Sequence, residues 1–222
     1  MENGDGGVPE FQDLPTKDKI LIAAHDEFVA RGYEGARMQR IAEVSGANKA
    51  MIYYYFGGKK ELYLRVVGAT FNVAIQSLAG IAATDQAPEE KLRSVVRFYV
   101  EFYSRNQDFL RLLMREFANR GPILDDLLGE LGQAAERHGF PGGLVSMLER
   151  GVDSGEFRAA DHRQTVMSMI SMCAGYFMLK PVADLFLGFK ADDERQGFVD
   201  SRADAVADLL LSGIAAGGKR LA

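Results

Sequence analysis

Side chains capable of covalent or metal chemistry are sparse in this 222-residue chain, and they stand far apart. His25, His138 and His162 are the only histidines and Cys173 is the only cysteine. No H-x-x-x-H, C-x-x-C or G-x-S-x-G occurs, so nothing in the spacing presents a zinc pair, a thiol pair or an activated serine. The aspartate pairs Asp125-Asp126 and Asp192-Asp193 are adjacent, which sends the two carboxylates in diverging directions on a helix, and they read as turn or surface acids. The expectation is no catalytic residue, no metal ligand and no cofactor. What remains is hydrogen-bonding chemistry. Between Arg37 and Lys59 the chain gathers lysines, arginines, an amide and tyrosines, groups that donate to phosphate oxygens and to base edges.

The elements that must position these groups lie between Lys17 and Tyr63 and read as three short helices and the start of a fourth. The first, Thr16 to Arg31, sets Ile20, Ala24 and Phe28 four apart on one face with Leu21 beside them, and Gly32 ends it. The second, Arg37 to Ser45, buries Met38, Ile41 and Ala42. Gly46 then permits a sharp change of direction that a Cβ would hinder. Asn48 is placed to N-cap a third helix that ends near Tyr55. About two turns are too few for an isolated helix in water, so the first two helices must hold it. That wiring is a helix-turn-helix, the arrangement that enters the DNA major groove.

The pattern G-Y-x-G-x-x-M-x-x-I-A-x-x-S-G (Gly32 to Gly46), followed by K-x-x-I-Y-Y-Y-F-x-x-K-x-x-L (Lys49 to Leu62), resembles the N-terminal DNA-binding domain of the TetR family of bacterial transcriptional regulators. A later stretch, G-x-x-x-G-x-F-R-x-x-D from Gly151 to Asp161, is similar to a linker between late helices of that family. Two departures concern which operator is read: Ala36 and Arg37 stand where a small hydroxyl residue is usual, and Asn48, Ala50 and Tyr55 depart from the usual opening and later part of the third helix. The resemblance implies roles residue by residue. Gln39 can pair with adenine, Lys49 with guanine or a phosphate, and Ala50 and Met51 can touch thymine methyls. Tyr53 and Tyr54 offer hydroxyls to the backbone, Lys59 looks like the phosphate anchor, and Arg37 is a phosphate candidate by location. Asn48 completes the expected DNA-binding set.

Composition is that of an ordinary globular protein, 47% apolar and 26% charged. The net charge of -5 is unevenly spread. Residues 1–15 carry four acids and no base, residues 16–66 nine bases against six acids, and residues 67–222 seventeen bases against twenty-one acids. The one basic segment therefore holds the helix-turn-helix, where local positive charge governs affinity for phosphate. The acidic, glycine-rich start does not resemble a secretory leader, and Met167–Leu179, read as the longest uncharged apolar stretch, is shorter than a membrane span. A cytoplasmic protein with no membrane partner is expected.

The expected organisation is all-α: a disordered acidic arm (1–15), a helix-turn-helix domain (16–66), and a helical ligand-binding and dimerisation domain (67–222). Further helices are expected from Gly58 to Leu78, Pro88 to Ser104, Gln107 to Asn119, Ile123 to Arg137, Pro141 to Val152, Arg163 to Lys180 and Asp200 to Ala216, with Gly121-Pro122 as a break. Phe98, Phe102, Phe109, Leu113, Phe117, Met147, Met169, Ile170, Cys173 and Phe177 supply an aromatic and methionine set fit to line an apolar effector pocket, or equally to fill a core. The last two helices are apolar nearly all round. Met167, Ser171, Ala174, Gly175 and Met178, with Val206, Leu209, Leu210 and Gly213, are expected to face a second subunit across a two-fold axis. The functional expectation is a dimeric repressor released from a palindromic operator by a mostly hydrophobic or aromatic molecule. The alternative is a helical ligand-binding protein without DNA-binding activity.

Overall fold

The computed structural model describes residues 11–120 and 123–216. Among these, a 3-10 turn at Phe11–Asp13 precedes eleven helices: α1 (Thr16–Gly35), α2 (Met38–Ser45), α3 (Lys49–Phe56), α4 (Lys59–Ala82), α5 (Pro88–Arg105), α6 (Gln107–Asn119), α7 (Leu124–Arg137), α8 (Gly142–Asp153), α9 (His162–Met178), α10 (Lys180–Leu187) and α11 (Asp192–Ile214). Residues 1–10 of the expected arm and the Gly121-Pro122 break lie outside the described residues. The last part of that arm is ordered rather than disordered, because the Lys19 ammonium donates to the Gln12 carbonyl and the Leu14 amide to Phe11. Two compact units result, residues 1–70 with 115–130 and residues 71–114 with 131–222.

In the first unit α1 packs on α2 and α2 on α3. Ile20, Ala24 and Phe28 are fully buried, as their spacing requires. Helical geometry fails at Gly32, where φ is +69°, and one further turn follows to Gly35. The positive φ disfavours any side chain there, and the Arg115 side chain, 2.8 Å from where a Cβ on Gly32 would stand, would have to move to make room for one. Gly46 ends α2 at φ +71°. Met38, expected in the core, is only half-buried because it opens the first turn of α2. Ser45 is buried instead, its hydroxyl donating to the Ile41 carbonyl at 2.7 Å. Asn48 caps α3, its Oδ1 accepting the Met51 amide at 2.8 Å.

Residues 115–130, expected to belong with the C-terminal helices, join this first unit for a definite reason. Tyr63, fully buried and edge-on to Phe28 at 4.8 Å, donates its hydroxyl to the buried Glu116 carboxylate at 3.1 Å. Burial, reinforced by Glu116, drives the Tyr63 pKa far above its ordinary value, so the phenol remains a donor. Lys60 pairs with Asp126 at 2.7 Å, and Ile123 and Leu127 are buried.

In the second unit α5 packs against α8, α9 and α11. Its stripe of Leu92, Val95, Val96 and Tyr99 is buried, with Pro88 at the start and Glu89 and Glu90 in the first turn. Arg93 pairs with Asp208 at 2.8 Å and Glu89 at 3.2 Å. The expected helix to Lys180 ends at Met178, and the chain bends by 81° into α10. Pro181, which cannot donate to the preceding turn, sits in the first turn of α10. On its polar side α10 is held by Asp184, which accepts from Lys180 at 2.8 Å, Arg195 at 2.9 Å and the Tyr176 hydroxyl at 3.0 Å. Helix α11 begins at Asp192, well before the expected Asp200, with three acids in its first turn.

The Gly151–Asp161 stretch explains itself in the fold. The Phe157 amide donates to the Gly151 carbonyl at 2.8 Å, Gly155 takes φ +78°, and a Cβ on Gly151 would stand 2.1 Å from the buried Phe157 ring. Arg158 ties the loop to the end of α11 through Ile214 O and Gly213 O, each at 2.7 Å. Asp161 then N-caps α9, accepting from Arg163 at 2.9 Å and Gln164 at 3.2 Å.

Helix α4 is long and apolar enough to cross a membrane by length and composition, with a mean hydropathy of 1.3. The uncharged run Val66–Thr84 outlasts Met167–Leu179, which corrects the sequence reading. Asn72, Gln76 and Ser77 interrupt it, and its apolar side, Val66, Val67, Ala74, Ile75 and Leu78, is buried in protein.

Gly151→Ala is expected to destabilise the protein by about 1 to 3 kcal/mol through overpacking on Phe157, read from urea unfolding midpoints. Gly155→Ala, strained by its positive φ but free of any clash, should cost less. Asn48→Ala should lose about 1 kcal/mol with the cap, while Asn48→Ser, which keeps an acceptor, should stay near the parent in the same measurement.

Candidate DNA-reading surface and effector core

Helix α3 has two chemically opposite sides. Ile52 and Phe56 are buried against the rest of the unit, while Tyr53, Tyr54 and Tyr55 face solvent, Tyr54 at 84% exposure. Lys49 and Ala50 are exposed beside them and Met51 is half-buried. Three neighbouring exposed tyrosines form an aromatic surface unusual for a protein that leaves it uncovered. Tyr54 and Tyr55 meet edge-on at 5.3 Å, which stiffens that surface.

At the entry to α2, Arg37 and Gln39 are exposed. Gln39 donates to Glu43 at 3.1 Å, and the Arg37 guanidinium has no ion-pair partner among the described residues. The absence of a hydroxyl at Ala36 and Arg37 is met from α1. Glu27, buried on the core stripe of α1, accepts the Arg37 amide at 3.0 Å and pairs with Arg31 at 3.2 Å. Glu27 went unnoticed in the sequence, although an acid seven residues after Ile20 on an apolar face was the available signal.

Lys59, the expected phosphate anchor, is half-buried and engaged. Its ammonium donates to the Glu34 carbonyl at 3.1 Å and lies 5.0 Å from the centroid of the Tyr33 ring. An ammonium has three N–H groups, so these contacts fix its direction without using all of its donors. Asn48 is exposed, but its side-chain oxygen serves the cap of α3.

In the second unit Phe98 stacks on Phe102 and Phe102 meets Phe109 edge-on, both at 5.8 Å, while Tyr103 links this chain of rings to Phe177 at 6.5 Å. Met169 and Cys173 are buried in the same core, with Ile170 and Leu113 half-buried. Burial pushes the Tyr103 phenol and the Cys173 thiol each up to about 12. Two polar groups of this core carry no sequence signal: the Tyr99 hydroxyl and the Arg202 Nε are buried without a hydrogen-bond partner among the described residues. One member of the expected pocket set is elsewhere: Phe117 is exposed and belongs to the first unit, past the point where α6 leaves the second. Met147 is buried in the same core as Cys173 and Phe177 and also lines a cavity beside Lys91 and Arg150.

The expected subunit face divides likewise. Met167, Ser171, Met178, Leu209 and Gly213 are exposed, and Gly175 is half-buried with open space where a Cβ would stand. Ala174, Val206 and Leu210 are buried within the same chain, because α5, α9 and α11 pack on one another. Helix α10 adds an exposed apolar ridge that the sequence reading did not separate, with Phe186 at 82% exposure beside Leu185.

Comparison with known proteins follows this division. Residues 20–66 match the family described as bacterial regulatory proteins, tetR family, and residues 88–210 match the tetracyclin repressor-like C-terminal domain. The HTH-type transcriptional repressor NicS of Pseudomonas putida is 28% identical, over 96% of this chain and 99% of its own length. The HTH-type transcriptional regulator RutR of Escherichia coli K12 is 25% identical over 89% and 90%. Among solved structures, the transcriptional regulator FadR from Bacillus subtilis in complex with stearoyl-CoA has the same fold, with a TM-score of 0.66 at 19% identity, over 89% of this chain and 98% of that one. A helix-turn-helix with an exposed third helix, followed by a C-terminal body of the same family, favours a regulator over a helical ligand-binding protein that has no business with DNA. The chain belongs to the TetR family and is a DNA-binding transcriptional regulator.

Proposed function

We propose that this regulator is a cytoplasmic homodimeric repressor that holds a palindromic operator and leaves it when a mostly hydrophobic or aromatic molecule enters the core of the second unit. The two-sidedness of α3 carries this reading: a helix too short to stand alone is anchored by Ile52 and Phe56 and leaves Lys49, Ala50, Tyr53 and Tyr54 for DNA. Lys49 and Gln39 address base edges, Ala50 and Met51 meet thymine methyls, and Tyr53, Tyr54, Arg37 and Lys59 address the backbone. Asn48 acts through the cap of α3. The reading unit takes in residues 115–130 as well as the helix-turn-helix. Support for an apolar effector comes from the Phe98–Phe102–Phe109 rings with Phe177, Met169, Ile170, Leu113 and Cys173. The unpartnered Tyr99 hydroxyl and Arg202 Nε supply polar contacts there. Dimerisation is supported by the exposed Met167, Met178 and Leu209 with the ridge of α10, surfaces that water alone leaves unfavourable.

With an operator selected from random DNA by the parent protein, Lys49→Ala should cost about 1 to 3 kcal/mol on the cognate site and much less on random DNA. Lys59→Ala should weaken both by similar factors and flatten the slope of log affinity against log salt by about one unit per site contacted. Equal losses for Lys49→Ala on both DNAs would make it a backbone contact, and unchanged binding by both variants would defeat the operator reading. Gly175→Leu, which meets open space in the monomer, should shift sedimentation toward monomer without lowering the monomer's stability. Unchanged sedimentation would take Gly175 out of the interface.

A further inference from the structure

Away from the aromatic core, a cavity of about 750 Å3 opens between the turn that follows α4, the start of α5 and the end of α8. That volume lies within the range of small-molecule sites. Lys91 forms part of its wall at only 4% exposure, and a lysine buried this far is ordinarily paired with an acid. Its ammonium instead donates to two main-chain carbonyls, Ala82 O at 3.1 Å and Thr84 O at 2.6 Å, which caps the outgoing turn of α4. Two of its three N–H groups are thereby used, and among the described residues no protein acceptor takes the third. Arg150 lines the same cavity, and its guanidinium has no ion pair or hydrogen bond among the described residues. Asp85 and Asp153 also border the cavity, yet neither forms an ion pair with either cation. Burial and then Arg150 hold the Lys91 pKa below its ordinary value, against a smaller opposing effect of Asp85. Two cations and two carboxylates thus line one cavity with no ion pair formed between them among the described residues, beside an apolar wall that includes Met147.

We propose that this cavity binds a small organic anion, its carboxylate or phosphate held between Lys91 and Arg150 and its apolar body lying toward Met147. The anion completes the hydrogen bonding of Lys91 and gives Arg150 the partner that neither Asp85 nor Asp153 supplies, in a place apart from the aromatic rings of the effector reading and bordering their core only through Met147. Bound there, it tightens the turn that Lys91 caps, so its presence raises resistance to unfolding as well as filling a site.

The test is calorimetric titration of the full-length protein with four probes sharing a phenyl body: phenyl phosphate, phenylacetate, phenethyl alcohol and phenethylammonium. Saturable binding of either anion, with the alcohol and the cation weaker by about tenfold or more, is expected, and which head group binds identifies the source as phosphate or carboxylate. Arg150 is exposed and Arg150→Glu replaces its repulsion of Lys91 by attraction, so the variant should unfold no earlier than the parent while anion affinity falls by about tenfold or more, and Arg150→Lys keeps most of that affinity. Lys91→Met removes the cap of α4 as well and is therefore the weaker diagnostic. Absence of saturable anion binding, equal binding of the alcohol, or an affinity unaltered by Arg150→Glu overturns the proposal, and none of these outcomes bears on operator binding.

Discussion

Two helices of eight residues each, α2 and α3, cannot hold their geometry by themselves in water, and the DNA-facing half of this protein follows from that constraint. Their positions are imposed by a core of Phe28, Ile41, Ile52 and Tyr63 from four separate helices. Backbone groups that short helices leave unsatisfied are met individually, by Asn48 at the start of α3 and by Glu27 reaching from α1 to the first turn of α2. The buried Tyr63–Glu116 hydrogen bond carries the same demand outward. It makes residues from α6 a structural part of a unit that is otherwise contiguous in sequence. A polar pair buried this deeply has no water to replace a missing partner, so the arrangement is specified more strictly than apolar contact alone would specify it.

Much of this was legible in the residues because the signals were local. The cap at Asn48, the turn at Gly46, the stripe of α1 and the beginnings and ends of α5 and α6 each depend on a few neighbouring side chains, and each stands within a residue or so of its expected place. What escaped was decided at a distance. That residues 115–130 pack with the first unit depends on a phenol fifty-three positions away from its acceptor, for which no spacing rule exists. Ala174, Val206 and Leu210 differ from Met167 and Leu209 only in which side of the helix a neighbour happens to cover. A helix apolar all round shows that two covers are needed, not which residues go to which. The break before α10 was signalled by Pro181 and was passed over because the apolar run continues through it.

Buried polar groups divide into two kinds. Lys91, Glu27 and Glu116 satisfy definite backbone or side-chain partners and thereby fix turns and helix ends. The Tyr99 hydroxyl and Arg202 Nε, in the core of the second unit, have no such partner among the described residues. Unsatisfied groups of this sort are few in native proteins, and they weaken the packing that surrounds them relative to a purely apolar core. An interior of that kind is better suited to admitting a second molecule than one already complete, and it is built from helices of the second unit, α5, α6, α9 and α11.

Those tyrosines have a spectroscopic consequence. The chain contains eight tyrosines and no tryptophan, so tyrosine emission is not drained to an indole and remains visible in the intact protein. Three of the eight stand in a row on α3 with their rings in solvent, while Tyr63, Tyr99 and Tyr176 are buried and Tyr33 and Tyr103 are half-buried. Tyr53 and Tyr54, on the surface assigned to nucleic acid, therefore contribute to the intrinsic fluorescence of the native regulator, and a contact-quenching agent reaches them before the buried rings, so that surface can be followed without any attached dye.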